Sequence, residues 1–151
     1  MPMRRARGFT LIEILAVVAL IALAVTLVAV SVGDGLTGAK VRAASRDLAA
    51  ALRYTRGQAI VKREQKTLSV DVDGRRYRAA DRSWVELPKD MDIKLFTARS
   101  ELEEEGVGRI RFFPDGASTG GHIDLIRGEA VWRVDVNWLT GEIRIIEDDS
   151  P

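Results

Sequence analysis

The chain has 151 residues, 46% of them hydrophobic and 30% charged, which suits one globular domain with its own core plus an appendage rather than two domains. It contains no cysteine, which excludes a disulfide framework, a thiolate metal site and a cysteine nucleophile. The formal charge of +1 hides an uneven distribution: residues 34–66 are net +5 and residues 67–151 net −6, a basic neck ahead of an acidic head.

The first segment, RRARGFTLIEIL at residues 4–15, sets Arg4, Arg5 and Arg7 ahead of Gly8 and Phe9, then opens an apolar run with one acid, Glu13, inside it. Thr26 is the only polar side chain in 14–30, and apolar character extends over 9–32. Twenty-four helical residues reach about 36 Å, against roughly 30 Å for a hydrocarbon core, so the length predicts a membrane-spanning helix. The arginines lie before the helix and Gly33, Asp34 and Gly35 after it, an asymmetry that predicts a cytoplasmic N-terminus and a head on the far side. A cleaved secretory signal ending at Ala29, Val30 and Ser31 is the competing reading. Such a signal has an apolar region of about 7–15 residues without an acid, whereas this one is longer and holds Glu13.

A carboxylate in a membrane helix costs on the order of 2.5–3.5 kcal/mol at the bilayer centre, so it marks a function with a partner. Cleavage after Gly8 would create an α-amino group on Phe9, one helical turn from Glu13, as the countercharge, within the chain or from a neighbour. The plainer account is that Glu13 complements the positive end of the helix dipole, worth about 0.3–1 kcal/mol.

The run Arg4-Arg5-Ala6-Arg7-Gly8-Phe9-Thr10-Leu11-Ile12-Glu13 ahead of an apolar helix resembles the class III signal of type IV pilins and type II secretion pseudopilins. The resemblance implies a leader peptide at 1–8, cleaved between Gly8 and Phe9 by an inner-membrane prepilin peptidase, and methylation of the new Phe9 amine. Arg4, Arg5 and Arg7 would orient the leader. The helix at 9–32 would stay with the mature protein as its transmembrane and assembly element, with Glu13 meeting the N-terminal amine of an adjacent subunit. Loss of residues 1–8 removes three positive side chains and leaves a side-chain charge of −2, so the isoelectric point near 8.1 belongs to the precursor.

Beyond Gly33, Gly35 and Gly38, small or apolar residues recur at Val41, Ala44, Leu48, Leu52, Thr55 and Ala59 in steps of three and four. This predicts an amphipathic helix within 33–66, laid on the head, with the three glycines bending or unwinding the join. Arg42, Arg46, Arg53 and Arg56 fall elsewhere on the wheel and read as a solvated face beside lipid headgroups or an acidic neighbour.

From Thr67 the period changes to two. Leu68, Val70 and Val72 lead to Asp73-Gly74, a tight-hairpin dipeptide, with the return strand at 75–79. Further strands are expected at 84–87, 92–96, 109–113, 122–126, 131–136 and 142–146, with Trp132, Val134, Val136, Ile143 and Ile145 as core candidates. The fold class is therefore α+β: a long N-terminal helix, half transmembrane and half amphipathic, packed on an antiparallel β-sandwich head at 67–151. The phrase FFPDGASTGGHIDL at 112–125, followed by Trp132, Val134, Asn137-Trp138-Leu139-Thr140-Gly141 and Ile143, resembles the C-terminal signature of the H-type minor pseudopilins, the GspH/FimT-like group of the type IV pilin-like superfamily. Taken physically, Pro114-Asp115-Gly116 and Thr140-Gly141 are turn chemistry.

Nothing in the residues predicts an enzyme. His122 is the only histidine, and its pairing with Asp124, two positions along the same strand face, is the one candidate acid–base contact. The run Glu101, Leu102, Glu103, Glu104, Glu105 lacks the spacing of a calcium loop and reads as a solvated acidic loop. No metal, catalytic residue or cofactor is expected. The resemblance implies a minor pseudopilin of the type II secretion pseudopilus. It would sit in the bacterial inner membrane with a periplasmic head, join near the filament tip, and partner other pseudopilins, prepilin peptidase and membrane lipid. The alternative is a minor type IV pilin of the FimT/FimU kind, priming pili or taking up DNA. The acidic head disfavours nucleic acid as a partner, because phosphate contacts need exposed positive charge.

Overall fold

The computed structural model describes residues 10–102 and 106–148, with side chains outside 26–37 and Asp148. Arg4, Arg5, Arg7 and Gly8, expected to form a leader, lie outside the described residues together with Phe9, as do Glu103, Glu104 and Glu105. The chain divides into two compact units, Met1–Leu36 and Thr37–Pro151. Helix α1, Leu11–Lys62, contributes to both. Eight strands follow: β1 (Lys66–Asp71), β2 (Arg76–Arg78), β3 (Val85–Glu86), β4 (Asp92–Phe96), β5 (Val107–Phe112), β6 (Gly121–Arg127), β7 (Ala130–Val136) and β8 (Ile143–Asp148).

In the first unit, every described side chain of 11–25 is exposed, Leu11 by 81% and Leu20 by 66%, and apolar residues lie all round the helix. The helical assignment passes through Gly33, Gly35 and Gly38 without interruption, so the unwound turn expected there is absent. Glycine weakens a helix by about 1 kcal/mol relative to alanine but removes no hydrogen-bond donor, so helical pairing survives it.

In the second unit, Val41, Leu48, Leu52, Thr55 and Ala59 are fully buried, so the helical face read from the sequence is the face that packs on the strands. Thr55 satisfies its buried hydroxyl twice: Oγ1 donates to the Ala51 carbonyl at 2.9 Å and accepts the Ala80 N–H at 3.3 Å. The helix ends at Arg63, which takes a left-handed φ of 55° while the Glu64 N–H reaches back to the Ala59 carbonyl at 3.3 Å. This satisfies a terminal carbonyl that would otherwise lack a partner.

The strands form two antiparallel sheets, β3-β2-β1-β5 and β4-β6-β7-β8. Leu68 pairs with Ile110 in the first, Leu125 with Trp132 and Val134 with Ile145 in the second. Period-two alternation turns Leu68, Val70, Ile110 and Phe112 inward from one sheet, and Ile123, Leu125, Trp132, Val134 and Val136 from the other, onto the buried face of α1. Ile143 is buried, while Ile145 is half-buried against the cluster.

The first hairpin departs from expectation. Asp71 pairs with Arg76, so four residues lie between the strands, and it is Arg75, at φ 49°, that takes the left-handed conformation. Gly74 is required for space instead: a Cβ there would lie 2.4 Å from Asp71 Oδ2. The Asp71 carboxylate organises the turn, accepting the Gly74 N–H at 2.7 Å and the Arg76 Nε–H at 2.8 Å. A side chain that bonds the backbone three residues on competes with the two-residue turn that Asp-Gly favours.

Candidate assembly site

At the start of α1, Thr10 and Glu13 form a reciprocal cap. The Glu13 N–H donates to Thr10 Oγ1 at 3.3 Å, and the Thr10 N–H points to Glu13 Oε2 at 3.5 Å. This is a capping box, in which a threonine and a glutamate three residues on satisfy terminal amides that the helix cannot. The spacing Thr-x-x-Glu is present in the sequence, and it adds a specific cap to the helix-dipole role expected of Glu13. The carboxylate of Glu13 therefore stands over the first turn, and Leu11, Ile12, Ile14 and Leu15 around it are exposed. No helix made of residues whose side chains are described is long and apolar enough to cross a membrane. Those side chains cover 11–25 of the apolar run, about 22 Å at 1.5 Å per residue. The sequence itself remains apolar through Val32.

Arg42, Arg46 and Arg53 of the basic neck are exposed, as expected from the sequence, and Arg56 is half-buried, but three of the four also reach strand ends and turns. The Arg53 guanidinium donates to the Ile143 carbonyl at 3.2 Å, and Arg42 reaches Glu147 at 3.5 Å while lying 5.0 Å from the Trp132 ring centroid. Arg56 donates from Nε to the Gly116 carbonyl and from Nη2 to the Thr140 carbonyl, each at 3.0 Å. Lys62 and Lys66 both meet Asp81, at 2.9 and 3.1 Å. Hydrogen bonds from Lys62 and then Lys66 hold the Asp81 carboxyl below the usual range. The Lys66 ammonium is raised in turn, by Glu64 first and then Asp81. Sequence periodicity found which residues avoid the core but not that their long side chains fold back onto strand ends.

The two signature phrases converge on Arg56. In FFPDG, the Gly116 N–H donates to the Phe113 carbonyl at 2.9 Å, and Asp115 Oδ1 accepts the Ala117 N–H at 3.0 Å. In NWLTG, Asn137 Oδ1 accepts the N–H groups of Leu139 and Thr140 at 2.9 and 3.0 Å. Gly141, at φ 63°, passes so close that a Cβ would fall 2.1 Å from the Gly116 carbonyl oxygen. These residues are turn chemistry at one end of the sandwich, and they leave Trp138 and Leu139 exposed.

The remaining candidates take structural roles. Asp124 is buried and held by Arg133, Nε to Oδ1 at 2.8 Å and Nη2 to Oδ2 at 3.0 Å, so its partner is not His122. The imidazole of His122 stacks on Phe96 with ring centroids 4.4 Å apart. Glu101 is buried and gripped by Arg111 through Nε and Nη2 at 3.1 and 3.2 Å, which corrects its reading as a solvated acid. Desolvating a carboxylate is costly unless it is paired, and the bidentate guanidinium supplies the pair. Among the described residues no group of three or more histidine, aspartate or glutamate side chains is placed to hold a metal ion.

Comparison with known proteins bears on this arrangement directly. The profile of the type II transport protein GspH family matches residues 44–141, and that of the prokaryotic N-terminal methylation motif matches residues 3–29. The chain is 44% identical over 141 residues to the type II secretion system protein H of Xanthomonas campestris pv. campestris, covering 93% of this chain and 83% of that protein. The minor pseudopilin EpsH from the type 2 secretion system of Vibrio cholerae shares the fold with a TM-score of 0.58 at 12% identity, over 74% of this chain and 99% of that one. The type IV minor pilin FimU of Pseudomonas aeruginosa does so with a TM-score of 0.53 at 14% identity, over 72% of this chain and 98% of that one. The helix-and-two-sheet body, the methylation motif ahead of it and identity along nearly the whole chain agree: this protein belongs to the GspH family, the H-type minor pseudopilins of type II secretion.

Proposed function

We propose that this chain is made as a precursor with an N-terminal leader and anchored in the inner membrane by the apolar helix at 9–32, its head in the periplasm. It is cleaved by prepilin peptidase between Gly8 and Phe9 and joins a pseudopilus near its tip with other pseudopilins. Arg4, Arg5 and Arg7 hold the leader on the cytoplasmic side, Phe9 is the methylated N-terminus, and Glu13 pairs with the amine of a neighbouring subunit. The protein acts as a structural subunit and not as a catalyst, supporting export of folded proteins across the outer membrane. The observation that carries this reading is the 44% identity to a type II secretion system protein H over 93% of the chain, joined to the methylation motif at 3–29.

The apolar helix α1 supports this reading physically. Its exposed apolar side chains need lipid or other helices around them, and both are available to a subunit that is stored in a bilayer and then packed into a filament. The Glu13 carboxylate, one turn from the new Phe9 amine, supplies a polar contact that strengthens when water is excluded.

The test is export. Deleting this chain should trap folded exoenzyme in the periplasm, and supplying it again should restore secretion to the medium. Unchanged export together with lost twitching motility would instead support a type IV pilus subunit, the alternative represented by FimU, which shares the fold.

A further inference from the structure

An open groove of about 470 Å³ lies between α1 and the β2–β3 segment, lined by Tyr54, Tyr77 and Trp84 with Ala50 and Ala51 on the helix side. A second hollow of about 400 Å³, lined by polar groups that include Ser69, Arg78 and the Asp81 carboxylate that Lys62 and Lys66 neutralise, shares Ala79 and Arg82 with the first. The Arg82 guanidinium lies 4.7 Å from the Tyr54 ring centroid, and those of Arg78 and Arg76 lie 4.7 and 4.8 Å from that of Trp84. Arg76 is ion-paired with Asp71, but Arg78 and Arg82 meet no carboxylate among the described residues. Two guanidinium groups that meet no carboxylate thus stand beside an aromatic well.

We propose that these joined hollows dock an extended protein segment in which an apolar side chain is followed by aspartate or glutamate. The apolar side chain fills the well against Tyr54, Tyr77 and Trp84, and the carboxylate meets Arg78 and Arg82. A guanidinium set over a ring keeps N–H donors free at its edge, so the same groups that line the well can bind a carboxylate. Charge complementarity selects an acidic segment, and the well selects its apolar neighbour. Nucleic acid fits less well. Two unpaired guanidinium groups beside the Asp81 carboxylate offer too few cations for the several phosphate contacts on which nucleic-acid affinity rests. The inference does not depend on which filament the chain joins.

The experiment measures fluorescence polarisation of a fluorescein-labelled peptide, acetyl-GSFDEGS, with the full chain in detergent micelles, against a control peptide carrying two lysines in place of its acids. Two variants test the two halves of the site. R78Q/R82Q removes the charge, and A50W fills the well from an exposed helix position; thermal melts check that each remains folded. Saturable binding of the acidic peptide, weakened at least tenfold by the lysine control, by either variant and by added salt, is the expected result. Absence of saturable binding, equal binding of both peptides, or binding that A50W leaves unchanged would overturn the proposal. Tighter binding of a single-stranded oligothymidylate at the same residues would overturn it in favour of nucleic acid.

Discussion

Arg56 on the helix holds the carbonyl of Gly116 at 3.0 Å, while its second donor holds Thr140 at the same distance. Gly116 lies on the connection that carries the chain from one sheet to the other, between β5 and β6, whereas Thr140 lies on the β7–β8 hairpin. One guanidinium thus ties the helix to both turns at that end of the sandwich. Charge-assisted hydrogen bonds contribute about 1.5–3 kcal/mol when both partners are shielded. Half-exposure lowers that, so Arg56→Ala should lower head stability by about 1.5–3 kcal/mol in total, read as a shift in the denaturant midpoint. Arg56→Lys, with one compact ammonium in place of a fork, should recover less than half of the loss.

Gly141 should tolerate no side chain. Its φ of 63° and the Gly116 oxygen 2.1 Å from a built Cβ mean that Gly141→Ala both strains the backbone and collides with a carbonyl. The expected loss is at least about 1–3 kcal/mol. Gly128, also at positive φ but with open space around it, should lose less as Gly128→Ala. Thermal melts of the two variants side by side measure the steric part.

Acid should destabilise the head through Asp71. Its carboxyl is held below the usual range, first by the Gly74 N–H and then by Arg76. A depressed carboxyl contributes stability above the ordinary aspartate value near ~3.9 and loses it as pH falls through its folded value. Asp81 acts in the same direction, and the raised Lys66 in the opposite one, contributing below ~10.4 and losing its part as pH rises through its folded value. Stability should therefore be flat between about pH 4 and pH 10 as far as these three groups decide it. Asp71→Ala should flatten the acid limb, and a wild-type slope below pH 4 in that variant would show that Asp71 does not control it.

Period and turn residues made much of this architecture legible before any coordinates. The face of Val41, Leu48, Leu52, Thr55 and Ala59 is buried as the 3.6-residue period requires, and the strand at 92–96 coincides with β4. What escaped was set by side chains acting at a distance. Asp71 widened the first hairpin, the neck arginines folded back onto carbonyls of β8 and two turns, and Arg111 drew Glu101 out of solvent. No local rule encodes those partners, because each is fixed only when the sheets pack. The capping box at Thr10 and Glu13 is legible in the Thr-x-x-Glu spacing, which lies inside the signal motif.

Burial of Phe112 should dominate the core. It is the largest side chain that is fully buried, set on β5 opposite the inward residues of the second sheet. Phe112→Ala should cost about 3–5 kcal/mol through lost transfer energy and a residual cavity. Phe112→Leu should cost less, since most of the volume is kept. Equilibrium unfolding of the two variants gives the difference.

Two roles for Glu13 can be separated because the capping geometry is known. A glutamine at the third helical position can accept the Thr10 N–H as glutamate does, so Glu13→Gln keeps the helix start and removes only the charge. Glu13→Ala removes the charge and the acceptor for the Thr10 N–H, while its own backbone N–H stays on Thr10 Oγ1. If the carboxylate pairs with a neighbour's amine, both variants should insert in the membrane normally and both should fail to crosslink to the major subunit. If its role is to begin the helix, Glu13→Gln should assemble at nearly the native level while Glu13→Ala alone is impaired. Site-specific crosslinking from a residue of the apolar helix, scored alongside membrane fractionation, distinguishes them. We expect the first outcome, because a cap on an exposed helix end requires hydrogen-bond acceptors but no net charge, whereas an amine in an apolar filament core requires a counterion.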